Sequence, residues 1–252
     1  MTGPVSPQGL RVTGLAVRLG GRTILRDVEF TVGHRSTLAV IGASGSGKTS
    51  LLRVLAGLGD AAAGCIEVDR RRVARLPAHR RGIVYLNQEP LLFPHLDVRA
   101  NLAFGLRLRS RDAARVAAMV DPLIEALGLQ GLERRDPLTL SGGERQRVAF
   151  GRALAVEPAV LLLDEPFASL DPATRLAMQA LFRQVARSRG ITAIFVTHDL
   201  KECLRVGDQF AAIRDGGCRL YEDRPAFCAD PANGVAAEVA FWSAAADASG
   251  PD

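Results

Sequence analysis

The stretch GASGSGKT, residues 42–49, sets three glycines, a lysine and a threonine at the spacing of a phosphate cradle. Glycines let successive backbone N–H groups turn inward and approach phosphate oxygens that a Cβ would keep away. Lys48 then reaches the β and γ phosphates, and the Thr49 hydroxyl can ligate magnesium. A helix opening at the end of the loop points the positive end of its dipole at the anion. Gly42, Ala43, Ser44, Gly45, Ser46, Gly47, Lys48, Thr49 and Ser50 are therefore the candidate phosphate-binding residues. The competing explanation, an ordinary glycine turn, must produce the whole pattern between an apolar run and a helical one by chance.

Two further stretches carry groups that phosphate hydrolysis needs. VLLLDEP, residues 160–166, ends a continuous apolar run in two carboxylates. Ligands of parallel sheets sit at the carboxyl ends of strands. Asp164 is thus a candidate metal holder, and Glu165 a candidate general base for the attacking water. Alone, such a pair reads equally as a cap for the next helix; a phosphate loop 116 residues upstream (164 − 48) favours the chemical reading. His198, in FVTHDL, follows another apolar strand. By itself it reads as a satisfied polar group, but beside the loop it is placed to meet the γ-phosphate. Gln88 stands where a strand gives way to a helical block, and its amide can reach metal and water.

LSGGERQ, residues 140–146, poses a different question. Ser141 and the N–H groups of Gly142 and Gly143, at a helix start, also suit a phosphate. Yet the chain already has a cradle, and this second one lies on a helical block with no evident reason to fold onto it.

Those groups need elements to hold them. Alternation over residues 10–19 and 28–32 reads as an antiparallel pair with a turn at Gly20-Gly21. Short apolar runs at 38–41, 83–86, 160–163, 192–196 and 209–213 read as core strands, and 49–56 as the helix after the loop. Between residues 90 and 157 the apolar spacing is helical, with helices at 98–108, at 112–127 and after LSGGE, punctuated by Pro90, Pro94, Pro122 and Pro137. A helix from 172 to 188 follows the carboxylates. The tail beyond Trp242 is rich in Ala, Ser and Gly and reads as disordered.

Bulk composition limits the partners. With 252 residues and 48% hydrophobic content, the chain can bury a large core. Its net charge of +5 comes from arginine, with only Lys48 and Lys201 as lysines, and no basic stripe alternates with aromatics, so a nucleic-acid face is not expected. A solvated basic surface, or one near an anionic membrane, remains. The four cysteines show no CxxC pair, which suggests free thiols and no zinc. MTGPVSPQG lacks a targeting pattern, and no apolar run approaches the roughly 18 residues of a span, so a cytoplasmic protein that docks on a membrane protein is expected.

Together GASGSGKT, Gln88, LSGGERQ, VLLLDEP, the SLD of residues 169–171 and His198 resemble, in order, the ATP-binding subunits of ABC transporters over residues 10–241. The resemblance implies an α/β fold: a P-loop NTPase (RecA-like) core of about 8–88 and 158–242, an N-terminal antiparallel β subdomain, and an inserted α-helical subdomain of about 89–157. It makes 8–242 one ATP-binding domain with ATP and Mg2+ as cofactors. Lys48, Glu165 and His198 would be catalytic, with Thr49, Gln88 and Asp164 at the metal. It also answers the question of the second cradle. In this family two copies sandwich two nucleotides head to tail, so Ser141, Gly142, Gly143 and Asp171 would complete the partner's site.

The same resemblance places two membrane-spanning permease subunits against residues 88–106, where Leu91, Leu92, Phe93 and Pro94 form an apolar patch. It implies a peripheral position at the cytoplasmic face of the inner membrane and an extracytoplasmic solute-binding protein. LFPHLDVRANLAFGLR and the stretch 136–175 look like the importers of spermidine, iron, molybdate, sulfate and thiamine, although too few residues follow for the extra C-terminal β-domain that many of those carry. An exporter, or an ABC ATPase acting on nucleic acid or ribosomes, is the alternative. Two positions depart from the family: Leu19 stands where an aromatic usually stacks on adenine, 23 residues before Gly42, and Asn87 replaces a common aromatic before Gln88. Loss of stacking at Leu19 costs about 1 kcal/mol, which relaxes nucleotide affinity or base preference.

Overall fold

A computed structural model describes residues 8–109, 112–237 and 240. The tail read as disordered, and the last two residues assigned to the domain, lie outside the described residues. The first half of the chain forms β1 (Gln8–Leu19), β2 (Arg22–Gly33), β3 (Thr37–Ile41), α1 (Lys48–Ala56), β4 (Ala63–Val68), β5 (Arg71–Arg72), β6 (Ile83–Leu86), α2 (Val98–Arg107) and α3 (Ala113–Ala126). The second half forms α4 (Gly142–Ala155), β7 (Val160–Asp164), α5 (Pro172–Arg189), β8 (Ala193–Thr197), α6 (Leu200–Val206), β9 (Gln209–Arg214), β10 (Gly217–Tyr221) and α7 (Arg224–Ala229).

The strands make two sheets. One is antiparallel, in the order β2-β1-β4-β5. Its β1–β2 hairpin turns on Gly20 and Gly21, both with positive φ (55° and 79°), as a two-residue turn compatible with strand twist requires. The other sheet runs β10-β9-β3-β8-β7-β6; β9, β3, β8, β7 and β6 are parallel, and β10 is antiparallel. Every residue of β3, β7 and β8 is buried, which is why they appear in the sequence as unbroken apolar runs.

Strand alternation divides the core by face. Val160, Leu162, Ile194, Val196, Leu38 and Val40 pack with α1 and the antiparallel sheet. Leu161, Leu163, Ala193 and Phe195 point the other way and pack with α2–α5. Here α4 is the bridge: the Phe150 ring packs tilted against Phe182 of α5 at 5.6 Å, and Phe182 against Phe195 of β8 at 5.9 Å. The helix that opens with the second cradle is therefore seated on the sheet that carries the first.

Expected and observed elements differ where the signal is weak. β2 begins at Arg22 rather than 28, because hairpin pairing such as Leu19↔Arg22 and Arg18↔Thr23 extends the strand through residues that are mostly exposed. β4, β5, α6, β10 and α7 were not anticipated; they are short and partly exposed, and β5 is two exposed arginines. α3 runs through Pro122, as the helix expected at 112–127 does. One missing N–H is tolerated there because Val116, Val120, Leu123 and Ile124 are buried on both sides of it.

Candidate functional site

Strand order brings the chemistry together. β8 lies between β3 and β7, with Ile41 opposite Thr197 and Val196 opposite Asp164; β6 continues the row with Leu86 opposite Leu163. The residues that follow these carboxyl ends therefore stand along one sheet edge: Gly42, His198, Glu165 and Gln88. Gln88 is exposed, two residues beyond β6.

The loop after β3 wraps into α1 through Gly45 and Gly47, with φ of 78° and 106°. A Cβ on Gly47 would stand 2.9 Å from Leu25 Cδ2, so both its conformation and its neighbours call for glycine. Lys48 is 5% exposed. Its Nζ donates to the carbonyls of Gly42 (2.7 Å) and Ala43 (3.0 Å) and stands 3.6 Å from Glu165 Oε1. The ammonium thus closes the loop on itself and faces the carboxylate across it. Ser46 Oγ is buried without a partner, an orphaned donor inside the cradle.

Asp164 is 6% exposed and holds two hydroxyls, one on each oxygen. Thr49 Oγ1 donates to Oδ1 at 3.1 Å, and the Tyr85 hydroxyl donates to Oδ2 at 2.7 Å. Burial first, then the bond to Asp164, pushes the Tyr85 hydroxyl well above the ordinary tyrosine range. Thr49 and Asp164 supply the hard oxygen donors that magnesium prefers. Among the described residues no cluster of three or more His, Cys, Asp or Glu could hold a metal alone.

Glu165 has a left-handed backbone, φ 45°, while its N–H remains tied to Val196 O at 3.0 Å. This bend takes the side chain out of the strand pleat and toward β8. Glu165 Oε2 lies 2.8 Å from His198 Nδ1, and the His198 side chain is 57% exposed, open to an incoming ligand. The turn under His198 is organised from inside: buried Glu202 accepts from Thr197 Oγ1 (2.5 Å) and Gln179 Nε2 (3.0 Å), and Thr197 Oγ1 accepts from Asp199 N–H. Burial pushes the Glu202 carboxyl up.

The second group forms elsewhere. Ser141 caps α4: its Oγ accepts from Glu144 N–H (3.3 Å) while its own N–H donates to Glu144 Oε2 (2.7 Å), the reciprocal pattern of a capping box. That backbone hydrogen bond holds the Glu144 carboxyl below its usual range. A Cβ on Gly143 would stand 2.5 Å from Thr174 Cγ2, so glycine lets α4 begin against α5. Asp171 caps α5 by accepting from Thr174 N–H at 3.1 Å, and the hydrogen bond to Thr174 lowers its pKa. Among the described residues, no hydrogen bond or ion pair joins Ser141, Gly142, Gly143 or Asp171 to residues 42–49.

Three residues with structural roles at the site were not singled out from the sequence. Tyr85 holds Asp164, and its only signal was a hydroxyl inside an apolar strand. Arg175 donates to the carbonyls of Phe167, Ala168 and Leu170, fixing the turn between Glu165 and Asp171. Arg152 of α4 donates to Leu91 O (2.5 Å) and lies 4.8 Å over the Phe93 ring. It ties the helix of the second cradle to the segment after Gln88. Leu91 is 59% exposed there, while Asn101, wholly buried, binds the Phe93 N–H and carbonyl and shapes the loop.

Leu19 is 57% exposed at the hairpin tip. A cleft of about 1060 Å³ runs along the outer side of the loop, between Thr23 and Ile24 of β2 and the β9–β10 turn.

Known proteins resemble this chain in sequence and in fold. A family model described as ABC transporter matches residues 25–168, a span that contains the loop, LSGGERQ and the carboxylate pair. The sulfate/thiosulfate import ATP-binding protein CysA of Mycobacterium tuberculosis is 46% identical over 199 residues, 79% of this chain and 57% of that protein. The Fe(3+) ions import ATP-binding protein FbpC of Streptomyces coelicolor is 42% identical over 210 residues, 83% of this chain and 60% of that protein. In both cases the chain spans less than two thirds of the relative's length. Among solved structures, cbiO1 from Clostridium perfringens, part of the ABC transporter complex cbiONQ, superposes with a TM-score of 0.79 at 26% identity, covering 85% of this chain and 88% of that one. With the family matched over more than half of its residues, and with the α/β P-loop fold in place, the chain belongs to the ABC transporter family.

Proposed function

We propose that this protein is the ATP-hydrolysing subunit of an importer, working as a head-to-tail pair beneath two membrane-spanning subunits. The observation that carries the reading is the row at the sheet edge, where Lys48, Glu165 and His198 meet within hydrogen-bonding or ion-pair distance. The loop N–H groups and Lys48 bind the phosphates, with Thr49, Asp164 and Gln88 as the residues that would hold magnesium. When bound, that ion neutralises phosphate charge. Glu165 accepts the proton of the attacking water, and His198 holds Glu165 Oε2 while its exposed ring faces the terminal phosphate. Ser141, Gly142, Gly143 and Asp171 serve the nucleotide of the second copy, since none of them is bonded to its own loop.

The membrane subunits dock beside Leu91 and Pro94, both exposed, where Arg152 and Asn101 hold the loop in shape. No described helix is long and apolar enough to cross a membrane, in keeping with a peripheral subunit at the cytoplasmic face. Import, aided by an extracytoplasmic solute-binding protein, is favoured because the curated relatives quoted above are import proteins. The 8–242 segment acts as one ATP-binding domain.

The purified protein is expected to release phosphate from ATP only with Mg2+ present; ATP left intact under those conditions sinks the reading. Leu19→Tyr restores a stacking surface at the hairpin tip and is expected to tighten ATP binding roughly fivefold, as measured by titration calorimetry. Unchanged affinity would mean that the base does not pass over the hairpin.

A further inference from the structure

We propose that Tyr85 is a positioning residue for the metal-holding carboxylate, fixing Asp164 through Oδ2 so that Oδ1 is the oxygen presented, beside Thr49, to the magnesium of a bound nucleotide. The proposal rests on the Mg-ATP reading of the site given above.

Register explains the contact. β6 and β7 are parallel, with Tyr85 opposite Leu162, and Asp164 lies two residues further along β7 on the face of Leu162. Two strand residues advance roughly 6.6 Å, a step that a tyrosine ring with its hydroxyl bridges and that a side chain without a polar tip could not use. The resulting bond, 2.7 Å, is shorter than the 3.1 Å bond from Thr49. The Thr49 hydroxyl, in the first turn of α1, reaches Asp164 from the side of the phosphate loop, whereas the Tyr85 hydroxyl reaches it from the neighbouring strand β6.

Asp164 is 6% exposed, so water is poorly placed to take over Oδ2 if the hydroxyl is removed. Loss of that donor frees the carboxylate to rotate. A hydrogen-bonded partner behind a metal-binding carboxylate typically matters tenfold to a hundredfold in metal affinity.

Tyr85→Phe removes the hydroxyl and keeps the ring, which separates positioning from packing. ATP binding to the otherwise intact protein is titrated calorimetrically with and without Mg2+, and Mn2+ bound with ATP is followed by its electron paramagnetic resonance spectrum. The expected result is an about tenfold rise in the Mg2+ concentration for half-maximal binding and turnover, an altered Mn2+ spectrum, and metal-free ATP affinity within about twofold of wild type. Two results overturn the positioning role: an unchanged Mg2+ half-saturation, or an equal loss of affinity with and without metal, which would make Tyr85 a packing residue. A wild-type protein that binds ATP equally with and without Mg2+ overturns instead the reading of the site, and the proposal with it.

Discussion

Replacing Glu165 by glutamine is expected to lower turnover by about a thousandfold while ATP still binds. The amide has the size of the carboxylate and can still pair with His198 Nδ1, so the bend at residue 165 and the β7–β8 contact survive. Lys48 loses a partner at 3.6 Å but keeps the carbonyls of Gly42 and Ala43, so the loop stays closed. What disappears is the carboxylate that stands between Lys48 and His198 at the sheet edge, whereas both oxygens of Asp164 accept from hydroxyls. Phosphate release measured beside calorimetric ATP binding separates the two effects. Turnover within tenfold of wild type would remove Glu165 from the role of base.

Ser141→Asp is expected to lower turnover at least a hundredfold without weakening ATP binding to a single chain. Aspartate caps helices as well as serine does, so α4 should keep its first turn and its seat on α5. The change is one of charge: a carboxylate replaces a hydroxyl at an exposed helix start read as the partner's γ-phosphate cradle. Repulsion there acts only when two chains close on a nucleotide, so binding at low protein concentration should be spared while hydrolysis fails. Equal loss of both would place Ser141 in its own chain's pocket.

These two variants draw on residues that the sequence made legible in different degrees. Lys48, Thr49, Asp164 and Glu165 are legible because their signals are local: a glycine loop opening a helix, and two acids ending an apolar run. His198 needed more, because a histidine after a strand means little until β8 is known to lie between β3 and β7. Ser141 was legible as a helix start suited to a phosphate and lying on a separate helical block, but which phosphate it serves is not written in its spacing.

Tyr85, Arg152 and Arg175 escaped for one reason. Each works through a contact between elements remote in sequence or through backbone carbonyls, and neither leaves a spacing pattern. β5 and the first turns of β2 escaped because exposed, polar residues show no alternation, their pairing being supplied by neighbours. Pro122, a local breaker, sits inside α3 because buried side chains surround it, and the helical spacing over 112–127 had already outweighed it in the sequence.

The claim on which the rest depends is that one copy of this chain cannot enclose a nucleotide alone. Light scattering on the Glu165→Gln variant, which binds ATP without consuming it, tests this most directly. The account predicts the mass of one chain without nucleotide or with ADP, and of two chains with Mg-ATP. A single-chain mass with ATP bound at saturation would contradict it.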